Sequence, residues 1–377
     1  MLALYTSISF VLATCYVAFI LYILKYWYQD KSPQQLRDKY TSHKFSFIIP
    51  VRNEADQIQE CLNSILKNEE LETHVCEILV LDDYSTDETK TLVQGISHPL
   101  IQLIELKDHV GSAIEGSKKR AIDLGVSLAQ GDYIIQTDGD CLIGPSYVRT
   151  LAKLLNTYQI SLIGAPVVFA PSNTLLEHFQ TLDLSGMMAL TKAGIMSKKW
   201  YLANGANLIY KKDLSRDLNK SFASGDDISR IGQYAKLENQ EIYFSNDNAL
   251  CVTTSPENTL KSFIAQRIRW GTKNQHSNNP TLLCAMALVF IQSLWFYVHV
   301  FAIILIGIPA IFIACTHLFL KLSVDYLLLE TSTKHYDSRN SMRYIIPAFI
   351  IQQFYISMIG LASLVVKKYN WKGRVVK

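Results

Sequence analysis

The stretch EILVLDDYSTDET, Glu77–Thr89, runs from apolar residues straight into two adjacent carboxylates, Asp82 and Asp83, and then into a polar turn. Ile78 to Leu81 have the composition of a strand buried on both faces. Two acids side by side at the end of such a strand repel one another unless a cation or a hydrogen-bond donor stands beside them. The stretch therefore reads as a strand whose end meets a ligand.

The segments around it fit one pattern. FSFIIPV (Phe45–Val51) is a second buried strand that passes through Pro50. Glu54 to Lys67 has helical spacing, with Ile58, Leu62, Ile65 and Leu66 on one face. Thr86 to Ile96 reads as a helix with Ser85 or Thr86 as its N-cap. Ile101 to Leu106 is a third strand. Gly116 to Gln130 is a helix packed through Ala121, Leu124, Gly125, Leu128 and Ala129. DYIIQTDGD (Asp132–Asp140) is a fourth strand ending in acids. Alternating strands and helices, with the strands apolar on both faces, imply an α/β fold with a mostly parallel, helix-covered sheet.

Ligands of open α/β sheets bind outside the carboxyl ends of the strands. Asp82–Asp83 and Asp138–Asp140 then share one edge. A divalent cation carrying phosphates would relieve their repulsion. A Mg²⁺ or Mn²⁺ site uses one or two carboxylates and fills its other positions with phosphate oxygens and water. An Asp after a strand is also an ordinary turn former or helix cap, and Asp87 and Asp213 are read that way.

The chain has 377 residues, 49% of them hydrophobic, and that surplus is concentrated. Met1–Leu24, Leu282–Leu320 and Tyr344–Val366 contain no Asp, Glu, Lys or Arg. About 20 apolar residues cross a bilayer, so each run can span. The first lacks a basic leader and is longer than a signal-peptide core, which makes it an uncleaved anchor. Lys25, Lys31, Arg37, Lys39 and Lys44 follow the first run, and Lys261, Arg267, Arg269 and Lys273 precede the second. Basic flanks stay inside, so residues 25–280 are expected in the cytosol with the N-terminus outside. Leu282–Leu320 is long enough for a helical hairpin turning near Gly307–Pro309. Four spans would then put the basic tail (Lys367, Lys368, Lys372, Arg374, Lys377) outside, and three would keep it inside. A net charge of +3 argues against a nucleic-acid partner. The seven scattered cysteines form no C-x-x-C pair and read as reduced packing residues.

In this order the motifs resemble the family 2 glycosyltransferases, inverting enzymes with the GT-A fold that use nucleotide-activated sugars. FSFIIPVRNEADQIQECLNSIL resembles the family's opening strand, loop and helix. EILVLDDYSTDET resembles its nucleotide-binding second strand. GSKKRAIDLGVSLAQGDYIIQTDGDC resembles the basic helix leading into its D-x-D, SGDDISRI its catalytic-base motif, and QRIRW the Q-x-x-R-W of its membrane-bound members. The resemblance spans about residues 44–275. It implies that Asp82 accepts a hydrogen bond from the base, plausibly a uracil imide, with Asp83 towards the ribose. The Pro50, Val51, Arg52 and Glu54 loop would close over the nucleoside, and Lys118 would support the nucleotide. Asp138 would face the sugar-nucleotide and Asp140 the metal, Mg²⁺ or Mn²⁺. Asp227 would be the general base, with Asp226 beside it in a less defined role. Gln266, Arg269 and Trp270 would meet the diphosphate and the acceptor. Along the QRIRW helix, Leu260, Ile264 and Ile268 share one stripe, and Gln266, Arg269 and Trp270 an adjacent one. Lys198, Lys199 and Trp200 are expected to line the acceptor side.

The expected organisation is an anchor over 1–24, a basic linker over 25–43, a cytosolic GT-A domain over 44–258 and an interface helix over 259–280. A membrane region over 281–320, a loop over 321–343, a span over 344–366 and a basic tail over 367–377 follow. The reading is a membrane enzyme moving a sugar from a nucleotide-sugar donor to a lipid or glycolipid acceptor, with room for a protein partner. A processive polysaccharide synthase shares these motifs. An inactive assembly subunit would have lost acids that are all present here. The membrane runs hold few polar residues to line a polymer channel: Gln292, Ser293, His299, Thr316, His317, Gln352, Gln353 and Ser357.

Overall fold

In the computed structural model, which describes residues 1–29, 42–110, 117–215, 226–274, 279–366, 369–371 and 374–376, the run Phe45–Val51 is a strand buried at all seven positions. The first half of the chain holds α1 (Leu2–Tyr28), β1 (Phe45–Val51), α2 (Ile58–Leu66), α3 (Leu71–His74), β2 (Val75–Asp82), α4 (Thr89–Gln94), β3 (Ile101–Glu105), α5 (Leu106–Val110), α6 (Lys118–Leu128), β4 (Tyr133–Gln136), β5 (Leu142–Ile143), α7 (Tyr147–Thr157), β6 (Leu162–Gly164) and β7 (Val167–Phe169). The second half holds α8 (Leu175–Ser197), β8 (Leu208–Lys211), α9 (Lys212–Ser215), α10 (Asp226–Tyr234), β9 (Ile242–Phe244), β10 (Val252–Thr254), α11 (Leu260–Asn274), α12 (Pro280–Ile306), α13 (Ile308–His335) and α14 (Ile345–Val365). They fall into a sheet unit, within Lys31–Ala170 and Tyr201–Ser255, and a helical unit, within Met1–Asp30, Pro171–Trp200 and Pro256–Lys377.

The sheet unit has seven strands in the order β3-β2-β1-β4-β8-β6-β9. The β3-β2-β1-β4 half is parallel, and β8 is antiparallel to both β4 and β6. The sheet is therefore mixed where the sequence suggested a mostly parallel one, because β8 enters from the opposite direction. β1 pairs with β2 on one edge and with β4 on the other. The chain thus reverses its progress across the sheet at β1, and the crevice at a switch point of this kind is where α/β sheets bind ligands. A second sheet, β5-β10-β7, closes the exit from β4.

The helical unit departs from the expected boundaries in two places. Pro171–Trp200, expected in the sheet domain, belongs to the helical unit. Its α8 opens on a capping box between Thr174 and Glu177, is buried along most of its length and packs on α1 and α13. A helix buried all round needs helices about it. Second, the expected loop over 321–343 is helical to His335. Lys321 and Asp325, one turn apart, neutralise each other at 2.6 Å, and Tyr16 Oη donates to Asp325 at 2.6 Å. Two compensated charges do not end a helix. The turn expected near Gly307–Pro309 is present, with Gly307 at φ +76° and Pro309 in the first turn of α13.

Four segments are long and apolar enough to cross a membrane: Leu2–Tyr28, Pro280–Ile306, Ile308–His335 and Arg339–Ser363. Polar side chains join them. Tyr5 Oη meets His299 Nδ1 at 2.6 Å, His317 Nε2 meets Gln292 Oε1 at 2.8 Å, and Gln292 Nε2 donates to Leu12 O at 2.7 Å. α14 runs alongside α11, with Tyr355 against Phe263 and Ser363 beside Gly271, and the tail strand Tyr369–Trp371 also lies against α11. Lys31, Arg37 and Lys39 of the first basic flank, and Lys367, Lys368, Lys372 and Lys377 of the tail, lie outside the described residues.

Breaking a buried ion pair costs about 3–5 kcal/mol because one charge is left uncompensated, whereas an apolar replacement of the pair is often neutral. Asp325→Ala is therefore expected to lower the unfolding free energy of the detergent-solubilised protein by about that amount. The double variant Lys321→Met with Asp325→Leu should regain most of it in the same unfolding measurement.

Candidate active site

The loops that follow β1 and β2 are fastened together. β1 and β2 pair in register to Val51↔Asp82, and Asp83 N donates to Val51 O at 2.8 Å. Arg52 Nη1 donates to the carbonyls of Asp83 at 2.7 Å and Tyr84 at 2.8 Å. Asn53 and Tyr84 both adopt left-handed backbone. Asn53 N donates to Ser85 Oγ at 3.1 Å, and Thr86 N returns to Asn53 Oδ1 at 2.8 Å. Glu54 N donates to Thr89 Oγ1 and Ala55 N to Asp87 Oδ2.

Ser85 and Thr86 are thus braces between the loops and not the expected cap; Glu88 is the N-cap residue of α4. Asp87 does act as a cap, accepting from Thr89 N and Oγ1. Burial raises its carboxyl, but the hydrogen bonds from Thr89 and Ala55 outweigh that and hold it below the usual carboxylate range. Asp82 and Asp83 are buried, and both Asp82 oxygens lie 3.2 Å from the Ser85 N–H. The Ser85 N–H at Asp82 and the Arg52 guanidinium, reaching from the β1 loop to the Asp83 carbonyl, stand beside the two acids.

Asp138 and Asp140 leave β4 on the other side of β1. Lys118, at the start of α6, places Nζ 2.5 Å from Asp138 Oδ1. Ser117 caps that helix through Arg120 N, one residue later than the expected start. Asp140 accepts from Cys141 Sγ at 3.3 Å and from Thr254 Oγ1 at 3.2 Å. The second contact follows from register: β10 pairs with β5 at Val252↔Ile143 and Thr253↔Leu142, so Thr254 continues opposite Cys141. Burial, then the Asp140 carboxylate, pushes the thiols of Cys61 and Cys141 far up, so both stay protonated. All seven cysteines are free. Among the described residues no group of three or more His, Cys, Asp or Glu side chains converges. Two oxygen donors beside protonated thiols suit a hard divalent cation that completes its shell with phosphate and water. Between the acids, Gly139 has no room for a side chain. A Cβ there would lie 2.9 Å from Val51 Cγ1 and 3.2 Å from Glu54 Cγ.

Asp227 stands in the first turn of α10. Gly205 N donates to its Oδ2 at 3.1 Å, and Gly205 O accepts from Gln136 Nε2, at the end of β4, at 3.1 Å. The sheet unit therefore gathers Pro50, Val51, Arg52, Glu54, Asp82, Asp83, Lys118, Asp138, Asp140 and Asp227 around the carboxyl ends of β1, β2 and β4. Asp226 opens α10, but its side chain lies outside the description, as do Ser224 and Gly225.

Gln266, Arg269 and Trp270 belong to the helical unit. Along α11, Leu260 is exposed, Ile264 packs against the core, and Phe263 and Arg267 are buried. Arg267 enters the core because Asp183 of α8 meets its Nη2 at 3.1 Å and its guanidinium stacks 4.1 Å from the Trp270 ring. Gln266 Nε2 donates to Glu257 Oε1 at 3.0 Å. Trp200 is buried within the helical unit, donating to Leu190 O and lying beside Phe19 and Tyr22, and does not present the acceptor-side surface expected of it. Sequence reading missed Asp183, Arg267, Thr254 and Gly205. None of the four has a local signal that sets it apart from a surface or loop residue.

Residues 46–218 match the family model described as Glycosyl transferase family 2. The succinoglycan biosynthesis protein ExoO of Rhizobium meliloti is 27% identical over 192 residues, covering 50% of this chain and 52% of that protein. Glycosyltransferase AglE of Haloferax volcanii is 26% identical over 189 residues, covering 48% and 58%. The chain thus spans little more than half the length of these relatives. Among solved structures, the mannosyltransferase PcManGT from Pyrobaculum calidifontis, in complex with GDP-Man and Mn²⁺, is alike in fold at a TM-score of 0.53. That likeness covers 93% of this chain and 99% of that one at 17% identity.

Overpacking a filled site costs about 1–3 kcal/mol. Gly139→Ala is expected to lower unfolding stability by that amount, since Val51 and the Glu54 stem must give way. Gly144→Ala, whose Cβ would meet nothing within 4 Å, should leave it unchanged. Equal unfolding midpoints for the two variants would contradict the crowding at Gly139.

Proposed function

We propose that this chain, whose residues 46–218 match the family 2 glycosyltransferases, is a membrane-bound inverting glycosyltransferase with a GT-A sheet unit. It moves a sugar from a nucleotide-sugar donor, a UDP-sugar, to a hydroxyl of a lipid or lipid-linked acceptor. The observation that carries this reading is the gathering of three acidic groups, Asp82–Asp83, Asp138–Asp140 and Asp227, around one switch point of the sheet.

Each group has a separate task. The braced loops at Arg52–Glu54 and Asp83–Thr86 form a rigid cradle for the nucleoside, with the Asp82 lone pairs available to a uracil imide N–H. Asp140, with Asp138, would hold Mg²⁺ or Mn²⁺, which when bound neutralises charge on the departing diphosphate. Lys118, ion-paired with Asp138, would support the nucleotide. The acceptor oxygen forms a bond to the anomeric carbon as the bond to the diphosphate oxygen breaks, which inverts that carbon. Asp227 takes the acceptor proton, the work of a general base within hydrogen-bond reach. The Gly205 N–H holds the Asp227 carboxylate in orientation. Gln266, Arg269 and Trp270 serve the diphosphate and the acceptor, with Trp270 steadied by Arg267.

A single addition to a lipid fits the membrane part better than polymer export. All eight polar residues that could have lined a channel are engaged in hydrogen bonds within or between helices. The basic residues after the first apolar run and before the second support a cytosolic catalytic unit with the N-terminus outside. The test is transfer by the purified full chain from UDP-sugars to a lipid extract, read by mass. One or a few added sugars are expected; a long polymer made by this chain alone would overturn the reading.

Chelation should abolish transfer, and Mg²⁺ or Mn²⁺ restore it. Asp140→Asn is expected to cost roughly a hundredfold or more in rate with unfolding unchanged, following the loss of a metal ligand. Thr254→Val removes the hydroxyl that orients Asp140 and should weaken Mn²⁺ binding about 10–100-fold by paramagnetic resonance titration, with Thr254→Ser close to wild type. Asp227→Asn should slow transfer by about 10²–10⁴ while leaving UDP affinity intact. Collapse of UDP binding in that variant would make Asp227 a donor ligand instead.

A further inference from the structure

A half-open cavity of about 250 Å³ lies in the helical unit, walled by α1, α8, α13 and α14 with Val289 of α12. We propose that it seats the hydrocarbon chain of the lipid acceptor. The proposal rests on the acceptor class of the preceding subsection and adds the place where that lipid is held.

Packed interiors hold few voids larger than a water molecule. An apolar cavity of about 150 Å³ already stays dry and takes up benzene. The larger one here is walled mainly by apolar side chains, Phe19, Leu190 and Phe349 among them, with the polar groups of Tyr16, Asp183, Asp325, Gln352 and Tyr355 at fewer points. α1 and α13 are long and apolar enough to span a bilayer, as is the segment that carries α14. The apolar molecule at hand in a bilayer is a hydrocarbon chain.

Gly186 points the same way. It sits in the middle of α8, where glycine weakens a helix relative to alanine. No neighbour demands it: a Cβ there would make ordinary contact, 3.6 Å from Leu329 Cδ2. What the missing side chain preserves is the space of the cavity, which Gly186 lines.

The charges at the rim select a chain over a phosphate. Asp183 and Asp325 line the cavity, and each is already ion-paired, to Arg267 and Lys321. No Lys, Arg or His is among its lining residues, so an anionic head finds no cation there. Asp183 favours the acceptor over any other lipid. Its partner Arg267 stacks on Trp270 of QRIRW, so a chain in this cavity lies beside the motif assigned to the acceptor.

The test uses the full chain in detergent and a long-chain alcohol carrying a photoreactive diazirine near its tail. Labelling is expected on peptides of α8, α13 and α14, and Gly186→Phe should abolish it by filling the cavity. The same variant should raise KM for a long-chain lipid acceptor at least tenfold, leaving KM for the nucleotide sugar and for a short-chain acceptor unchanged. Leu190→Trp fills the cavity from the same helix and serves if Gly186→Phe does not fold. Transfer to lipid with wild-type labelling and wild-type KM in the filled variant overturns the cavity assignment alone. A wild type that labels but transfers to no lipid overturns the acceptor reading, and this assignment with it.

Discussion

Everything at the candidate site depends on β1 having two parallel partners. A strand paired on both edges in the same direction forces the chain to leave β3 and cross back to the far side of β1 before it can lay down β4. The carboxyl ends of β2 and β4 then flank that of β1, and loops that are far apart in sequence face one crevice. The pairing also explains the crowding. Gly139, after β4, lies against Val51, which ends β1, and Glu54, which follows it, so the loops after β4 and β1 are fitted to each other.

Within that crevice the protein manages charge by donors before any ligand arrives. Asp82 is met by a backbone N–H, Asp87 by Thr89 and Ala55, Asp138 by Lys118, Asp140 by Thr254 and Cys141, and Asp227 by Gly205. The same contacts fix where each carboxylate points.

The helical unit follows another rule. It buries two ion pairs, Arg267 with Asp183 and Lys321 with Asp325, between or within helices that are otherwise largely apolar. Pairing makes such residues tolerable in a core and gives the helices a specific register. It also keeps the cavity between them electrically quiet.

The sequence by itself determined the parts whose signal is local. Apolar runs, as at Phe45–Val51 and Ile78–Leu81, specify buried strands, because side-chain pattern reports burial directly. Uncharged runs specified the long apolar helices, and glycine before proline at 307–309 specified the hairpin. Tertiary structure alone decided the rest. An i,i+4 pair hides Lys321 and Asp325 from hydropathy, so α13 reads shorter than it is. Arg267 reads as surface until Asp183, 84 positions earlier, supplies its counter-charge. Thr254 and Gly205 reach the acids through strand register and backbone contacts that have no local pattern. The destination of α8 could not be read from its neighbours in sequence, because a helix buried on all faces is defined by what surrounds it and not by its own periodicity.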